Sequence, residues 1–355
     1  MPFITERARK LQEQASFVGK KLAEYKKASA QTKELSPKLL EILWEEGFYS
    51  GLIPRQLGGR EWGLLEMALV LEELAPVYFS YALSLLVQSL GIILLRSDSE
   101  QARGQARLEK VVNERKLLAF ALSEDSQPGL ETRAEVDEAG WRIVGQKVYV
   151  NQAREADWII TLAKTEQGLS LFLLEKGRAG LILGKDFSRS SAQELSWCEV
   201  IFNQVPALED DLIGMPGDGE EICESALAQS GVLVSAMALG ILKRALLECE
   251  KKELTYQILG WERVQAKIKL NLESAQAFCY SSAYGLDKGL SGYEKKSLAC
   301  KIFTTELVVR ALLELSEADG LGAIDQDKVF SELFHSALLL RSLLGANSFL
   351  LENFL

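Results

Sequence analysis

Apolar residues recur at helical spacing from the start of the chain to about residue 117, in "TERARKLQEQASFVGKKLAEYKK", "SPKLLEILWEEG" and "LLEMALVLEELA". Ser36 stands where an N-cap belongs and Pro37 at the first helical position. The Gly and Pro residues of "FYSGLIPRQLGGREWG" mark a loop between helices. Near residue 118 the period shortens. "LLAFALSE", "TRAEVDEAGWRIVGQKVYV", "DWIITLAKTEQGLSLFLLE" and "LSWCEVIFNQV" are short β-branched or alternating runs separated by turns, and they predict a small antiparallel β domain. After "LIGMPGDGEE" the helical period returns almost to the end, with breaks near "LGWE", "KGLSG" and "DGLGAIDQD". The expected class is therefore α+β: an N-terminal helical domain over 1–117, a β domain over 118–207 and a C-terminal four-helix bundle over 208–355. Doubly wound folds interleave helices with strands, so this order excludes them.

Charge and composition narrow the function. Fifty acidic against forty basic residues leave a net charge of −10, which repels nucleic acid and anionic membranes, and the basic cluster "GKKLAEYKK" reads as a solvated helix face. No apolar run reaches about 18 residues free of charge, and "MPFITERARKLQEQ" lacks the order of a signal peptide, so a cytoplasmic protein with no membrane segment is expected. The five cysteines, Cys198, Cys223, Cys249, Cys279 and Cys300, are widely spaced with no CxxC, which favours buried thiols over metal ligands or disulfides. The single histidine, His335, argues against most hydrolase and metal chemistry and is expected on a helix surface or interface.

Five segments, "LIPRQLGGREWGLLEMALVLEEL", "FALSEDSQPG", "GWRIVGQKVYVNQAREADWIITLA", "FSRSSAQELSWCEVIFNQVPALEDDLIG" and "ALGILKRAL", stand in an order and at distances that resemble the acyl-CoA dehydrogenases across nearly the whole chain. The resemblance implies FAD, its isoalloxazine ring against the β domain and the acyl thioester on the C-terminal helices. A flavin needs hydrogen-bonding groups at its polar edge and a flat apolar wall at its face. "FALSE" matches the strand that binds the flavin, implying Ser123 as the hydroxyl contact beside Phe120 and Leu122. On its residues alone, Ser123 reads equally as a serine ending an edge strand. "KVYVNQA" matches the stretch that carries an aromatic residue over the flavin and a small polar one two positions on, here Tyr149 and Asn151, which alternation puts on one face. Gln265, Gly320 and Gly322 fall at family positions that serve the cofactor's pyrophosphate and adenine end.

The departures concern chemistry. Thioester dehydrogenation requires a base, and a positioned carboxylate contributes roughly 10²–10⁴-fold. The family takes it from a Glu-Gly-Thr/Ser turn, and in "LLGANS" Gly345 matches the glycine while Leu344 replaces the glutamate. Other members place the base on the first helix of the C-terminal domain, where this chain has Ser230; Ala226 and Leu227 lie one turn before it, and Glu224 is about 9 Å away along the axis. Leu254 and Gln257 stand where the family has its Arg and Phe, and the glycine-rich turn survives as "DGLGA".

Three readings follow. The first is a flavin-dependent oxidoreductase on an acyl group carried by CoA or by an acyl carrier protein, with a non-standard or absent base and an unidentified electron acceptor. An acidic surface suits an acidic carrier protein poorly. The others are a flavin monooxygenase on the same fold and a non-catalytic partner subunit of an active paralogue. "SGVLVSAMALGILKRALL" and "HSALLLRSLLGANSFLL" carry more apolar residues than one bundle stripe uses, which predicts a homodimer or homotetramer.

Overall fold

The computed structural model describes residues 4–28, 34–98, 100–125, 131–138, 140–187, 191–256, 260–318 and 327–353. Five helices come first: α1 (Glu6–Ala28), α2 (Pro37–Glu45), α3 (Leu64–Leu74), α4 (Phe79–Arg96) and α5 (Ala102–Asn113). Eight strands follow: β1 (Leu118–Ala121), β2 (Arg133–Asp137), β3 (Gly140–Asn151), β4 (Trp158–Thr165), β5 (Gly168–Glu175), β6 (Leu181–Asp186), β7 (Trp197–Ala207) and the short β8 (Leu212–Ile213). The described C-terminal helices are α6 (Gly219–Tyr256), α7 (Trp261–Asp287), α8 (Tyr293–Ala318), α9 (Lys328–Ser342) and the short α10 (Asn347–Asn353).

Pro37 starts α2 with Ser36 at the N-cap position, yet the Ser36 hydroxyl does not cap the helix; it pairs with the Tyr25 hydroxyl at 3.0 Å, and its amide donates to Tyr81 Oη at 2.7 Å. The α3 N-terminus is capped from a distance: the Asp287 carboxylate accepts from the amides of Leu64 at 2.6 Å and Leu65 at 3.1 Å. In the last turn of α3, the buried Glu72 carboxylate accepts from Gln276 and from the Tyr280 hydroxyl, both on α7. A Cβ at Gly240 of α6 would lie 2.0 Å from the Glu72 carbonyl, so the glycine permits the close approach of α3 to α6.

Contrary to the expectation from the sequence, three helical stretches among the described residues are long and apolar enough to cross a bilayer, Phe79–Arg96, Gly219–Lys251 and Lys328–Glu352, and residues 74–95 carry no charged side chain. The first two are 94% and 83% buried inside the fold, so protein packing consumes their apolar surface; the third is 33% buried.

The strands form one sheet in the order β6-β7-β3-β2-β4-β5-β8, with β1 also on β4. It is mixed, not purely antiparallel, because β1 runs parallel to β4 from Leu118 against Trp158 to Ala121 against Thr161, and β2 also meets β4 in parallel. No tight turn joins β1 to β4; the β2–β3 hairpin lies between them in the chain, and only a tight turn would force the antiparallel sense. Ile160, Leu162, Leu171 and Leu173 face the core shared with the helices, whereas Ile159, Ala163, Phe172 and Leu174 belong to the sheet's own core, so β4 and β5 are buried on both faces.

Candidate active site

Between the sheet and the C-terminal helices lies a cavity of about 610 Å³. Its sheet side consists of Phe120, Leu122 and Ser123 from β1 and its end, Val148, Tyr149 and Asn151 from β3, Trp197 from β7, and Ser191. Its helix side is Leu227 of α6, then His335, Leu338, Leu339 and Ser342 along α9, then Leu343, Leu344 and Gly345 in the turn that follows. The α9 residues fall at i, i+3, i+4 and i+7, which is one face of a helix.

A buried ion pair shapes the sheet wall. Lys147 has a fully buried side chain; its ammonium donates to the Leu122 carbonyl at 3.1 Å and to Glu124 at 2.6 Å. Glu124 also accepts from the amides of Glu131 at 2.5 Å and Thr132 at 3.2 Å, and the Val148 amide donates to the Ser123 carbonyl at 2.8 Å. These bonds fix both sides of Ser123. Burial lowers the Lys147 pKa against the pull of Glu124; for Glu124, burial works upward, but the Lys147 bond and the two amides outweigh it and hold the carboxyl below its usual range.

Tyr149 and Asn151 reach the cavity by a route that simple alternation does not describe. The pairing of β3 with β7 slips between Lys147 and Val150, and Tyr149 adopts φ +56 at that bulge. The bulge re-aims the tyrosine, whose ring packs at 4.8 Å from Phe187. Asn151 donates to the Tyr149 carbonyl at 3.4 Å, while its Oδ1 is buried and accepts no hydrogen bond among the described residues.

On the helix wall, Leu344 occupies the turn with φ +55 beside Gly345 at φ +100. Neither Asp nor Glu lines the cavity among the described residues. Ser230 does not reach it: the residue is fully buried in α6 and its hydroxyl donates to the Ala226 carbonyl at 2.8 Å. His335 is exposed, as the sequence suggests, but it also lines the cavity, and its Nδ1 lies 2.8 Å from the Ser331 carbonyl, which accepts from the ring.

Gln265 lies outside the cavity, where its amide donates to Glu250 at 2.7 Å. Gly320, Gly322 and Gln257 fall outside the described residues, as does the side chain of Leu254 in α6. Sequence reasoning missed Lys147, Glu124 and the buried Lys301 on α8. The available signal was a charged residue at an inward position of an apolar strand or helix.

The wall fits a flavin on its own terms. Asn151 Oδ1 is a buried acceptor in need of an N–H donor, the exposed Ser123 lines the same cavity, and Tyr149 and Trp197 supply flat surface beside them.

Two comparisons define the class. Residues 5–113 match the acyl-CoA dehydrogenase N-terminal domain and residues 119–205 the acyl-CoA dehydrogenase middle domain, together more than half of the chain. The protein belongs to the acyl-CoA dehydrogenase family, whose cofactor is FAD. Among relatives, the L-prolyl-[peptidyl-carrier protein] dehydrogenase of Serratia sp. (strain ATCC 39006) is 29% identical over 324 residues, 84% of this chain and 83% of that protein. Among solved structures, butyryl-CoA dehydrogenase from Megasphaera elsdenii superposes with a TM-score of 0.91 at 22% identity, covering 98% of this chain and 97% of that one. The FAD complex of PigA gives 0.90 at 24% identity over 98% and 96%. At these identities the structures establish the fold.

Proposed function

We propose that this chain is an FAD-dependent oxidoreductase that acts on an acyl thioester, with the acyl group carried by CoA or by a carrier protein and with no protein carboxylate at either usual base position. The observation that carries the reading is the single cavity that joins Ser123, Tyr149 and Asn151 to the Leu344–Gly345 turn. FAD, when bound, supplies a two-electron acceptor for hydride. The chain's own part is binding and exclusion of water. Ser123 and the backbone at Leu122 would hold the polar edge of the ring, Asn151 Oδ1 would accept from a ring N–H, and Tyr149 and Trp197 would flank it. The leucines of α9 keep water from the reacting carbon.

Leu344 holds no proton, so the substrate must need less from the protein than a plain alkyl thioester does. A prolyl thioester, the group in the Serratia relative's name, meets this requirement as its free amine, whose ring-nitrogen lone pair would expel the adjacent hydrogen as hydride and leave an iminium. The test is an absorbance spectrum of the purified protein, then anaerobic titration with prolyl-loaded carrier protein and with acyl-CoA of several chain lengths. A yellow protein bleached by one of them supports the reading. Protein that stays colourless after incubation with FAD would mark a non-catalytic partner subunit, and oxygen consumption with reduced flavin would mark a monooxygenase.

We also infer self-association through the C-terminal helices, because Leu247, Leu270, Phe303 and Leu313 are 46%, 66%, 44% and 42% exposed there. Light scattering at micromolar concentration that gives a monomer would overturn it.

A further inference from the structure

Beneath the turn that carries Leu344 lies a buried cation that the reading above does not use. Lys301, 1% exposed on α8, donates to the Arg341 carbonyl at 3.0 Å, the Gly345 carbonyl at 2.7 Å and Asn347 Oδ1 at 2.8 Å. An ammonium has three N–H donors, and these end on the last turn of α9, on the turn after it and on the first residue of α10. Asn347 is fixed in turn, donating to Thr305 Oγ1 at 3.0 Å and to Glu306 at 2.8 Å, and Arg341 pairs with Glu306 at 2.8 Å. Leu344 is a side-chain-bearing residue in left-handed backbone, a conformation that persists only where its surroundings over-determine it.

Resting on the reading of this cavity as the flavin and thioester site, we propose that Lys301 is the positioning residue of the helix-side wall. It fixes Leu344 and Gly345 against the bound ligand, and loss of its third N–H loosens that wall. All three acceptors are neutral, so the cation lies buried without a directly bonded counter-charge, and burial pushes its pKa down to about 7, with Glu306 opposing and Arg341 adding to the shift. Among the described residues the charged groups that face it are Glu306 on its own helix and Arg341 on α9, and they are paired with each other. A neutral amine keeps two N–H donors for three acceptors. As pH rises through the lysine's folded value, one acceptor in the turn is therefore released.

The test has two arms on the full-length chain. The first measures backbone amide exchange in wild type, Lys301→Met and Lys301→Gln at one pH. The expected result is exchange faster by on the order of tenfold at Leu343 and Leu350, whose amides are hydrogen-bonded on either side of the turn, in both variants, with β4 and α4 amides unchanged. Unchanged exchange at Leu343 and Leu350 in either variant that folds overturns the clamp. The second arm measures FAD affinity by quenching of flavin fluorescence from pH 6 to pH 9, in wild type, Lys301→Gln and, to remove the imidazole from the comparison, His335→Gln. Wild type and His335→Gln should weaken by on the order of tenfold across the range, and Lys301→Gln should be flat at the weaker level. A Lys301→Gln protein that keeps the wild-type pH course overturns the coupling between lysine and ligand. If wild type binds no FAD at any pH, the cofactor reading fails by itself, and the exchange arm still decides the clamp.

Discussion

The two walls of the cavity are built on opposite plans. On the sheet side the backbone around Ser123 is held by Lys147 and Glu124, and Asn151, whose buried Oδ1 accepts no hydrogen bond among the described residues, lines the same space. On the helix side, α9 and its turn present leucines, and the polar atoms that organise the turn are hidden behind it on Lys301 and Asn347. The difference teaches that binding and chemistry are separable in this fold. The wall that recognises a flat, polar-edged cofactor keeps its hydrogen-bonding groups, while the wall to which family resemblance assigns the base presents mainly leucines, with His335 and Ser342 as its polar side chains and no carboxylate among the described residues.

The most damaging way to break the contrast is to remove the sheet wall's cation. Lys147→Met should destabilise the protein by about 3–5 kcal/mol, because Glu124 would be left charged and buried without its partner; urea unfolding measures this, and a loss below about 1 kcal/mol would show the pair to be dispensable. The pH course follows. Glu124 has a folded pKa below its unfolded one, so its contribution is complete above the unfolded carboxylate value of about 4.3 and is lost as pH falls through the folded value. Lys147→Met should therefore flatten that part of the acid-unfolding curve.

Making the two walls alike sharpens the contrast. Leu344→Glu restores a carboxylate to the turn, and bleaching of bound flavin by a simple acyl-CoA should speed up by roughly 10²-fold or more. A folded, flavin-loaded variant that no acyl chain bleaches would place position 344 away from the reacting carbon. A smaller effect is expected from Asn151→Leu, which leaves the flavin N–H without its acceptor; FAD affinity should fall by about tenfold with little change in thermal midpoint. Smallest of all is Ser230→Ala. Its hydroxyl bonds only the Ala226 carbonyl of its own helix, so stability should move by less than about 1 kcal/mol and FAD affinity not at all.

Much of the architecture is legible in the hydrophobic period. The shift near residue 118 falls where β1 starts, and the return of helical spacing after "LIGMPGDGEE" falls where α6 starts. Ser123, Tyr149, Asn151 and Leu344 come from three distant segments, and only family resemblance suggests that they meet; the fold puts them on one cavity. Three things were not legible. The β3 bulge depends on how β7 pairs with it, which no local pattern records. The parallel sense of β1 depends on a partner that follows it by some forty residues. The partners of Lys147 and Lys301 are remote in sequence, and a lone lysine in an apolar run does not say which acceptors it will find.

The carboxylate that caps α3 has a consequence for synthesis. Asp287 lies more than two hundred residues downstream of the amides it satisfies, and so do the Tyr280 and Gln276 groups that bind Glu72. A ribosome adds roughly 5–20 residues per second, so α3 waits on the order of ten to forty seconds for its cap after it leaves the exit tunnel. During that interval the nearly wholly apolar α4 next to it also lacks the α6 surface it packs against. The nascent N-terminal half is thus an unfinished, sticky intermediate, and holdase chaperones that bind exposed apolar helix would find in it a natural client.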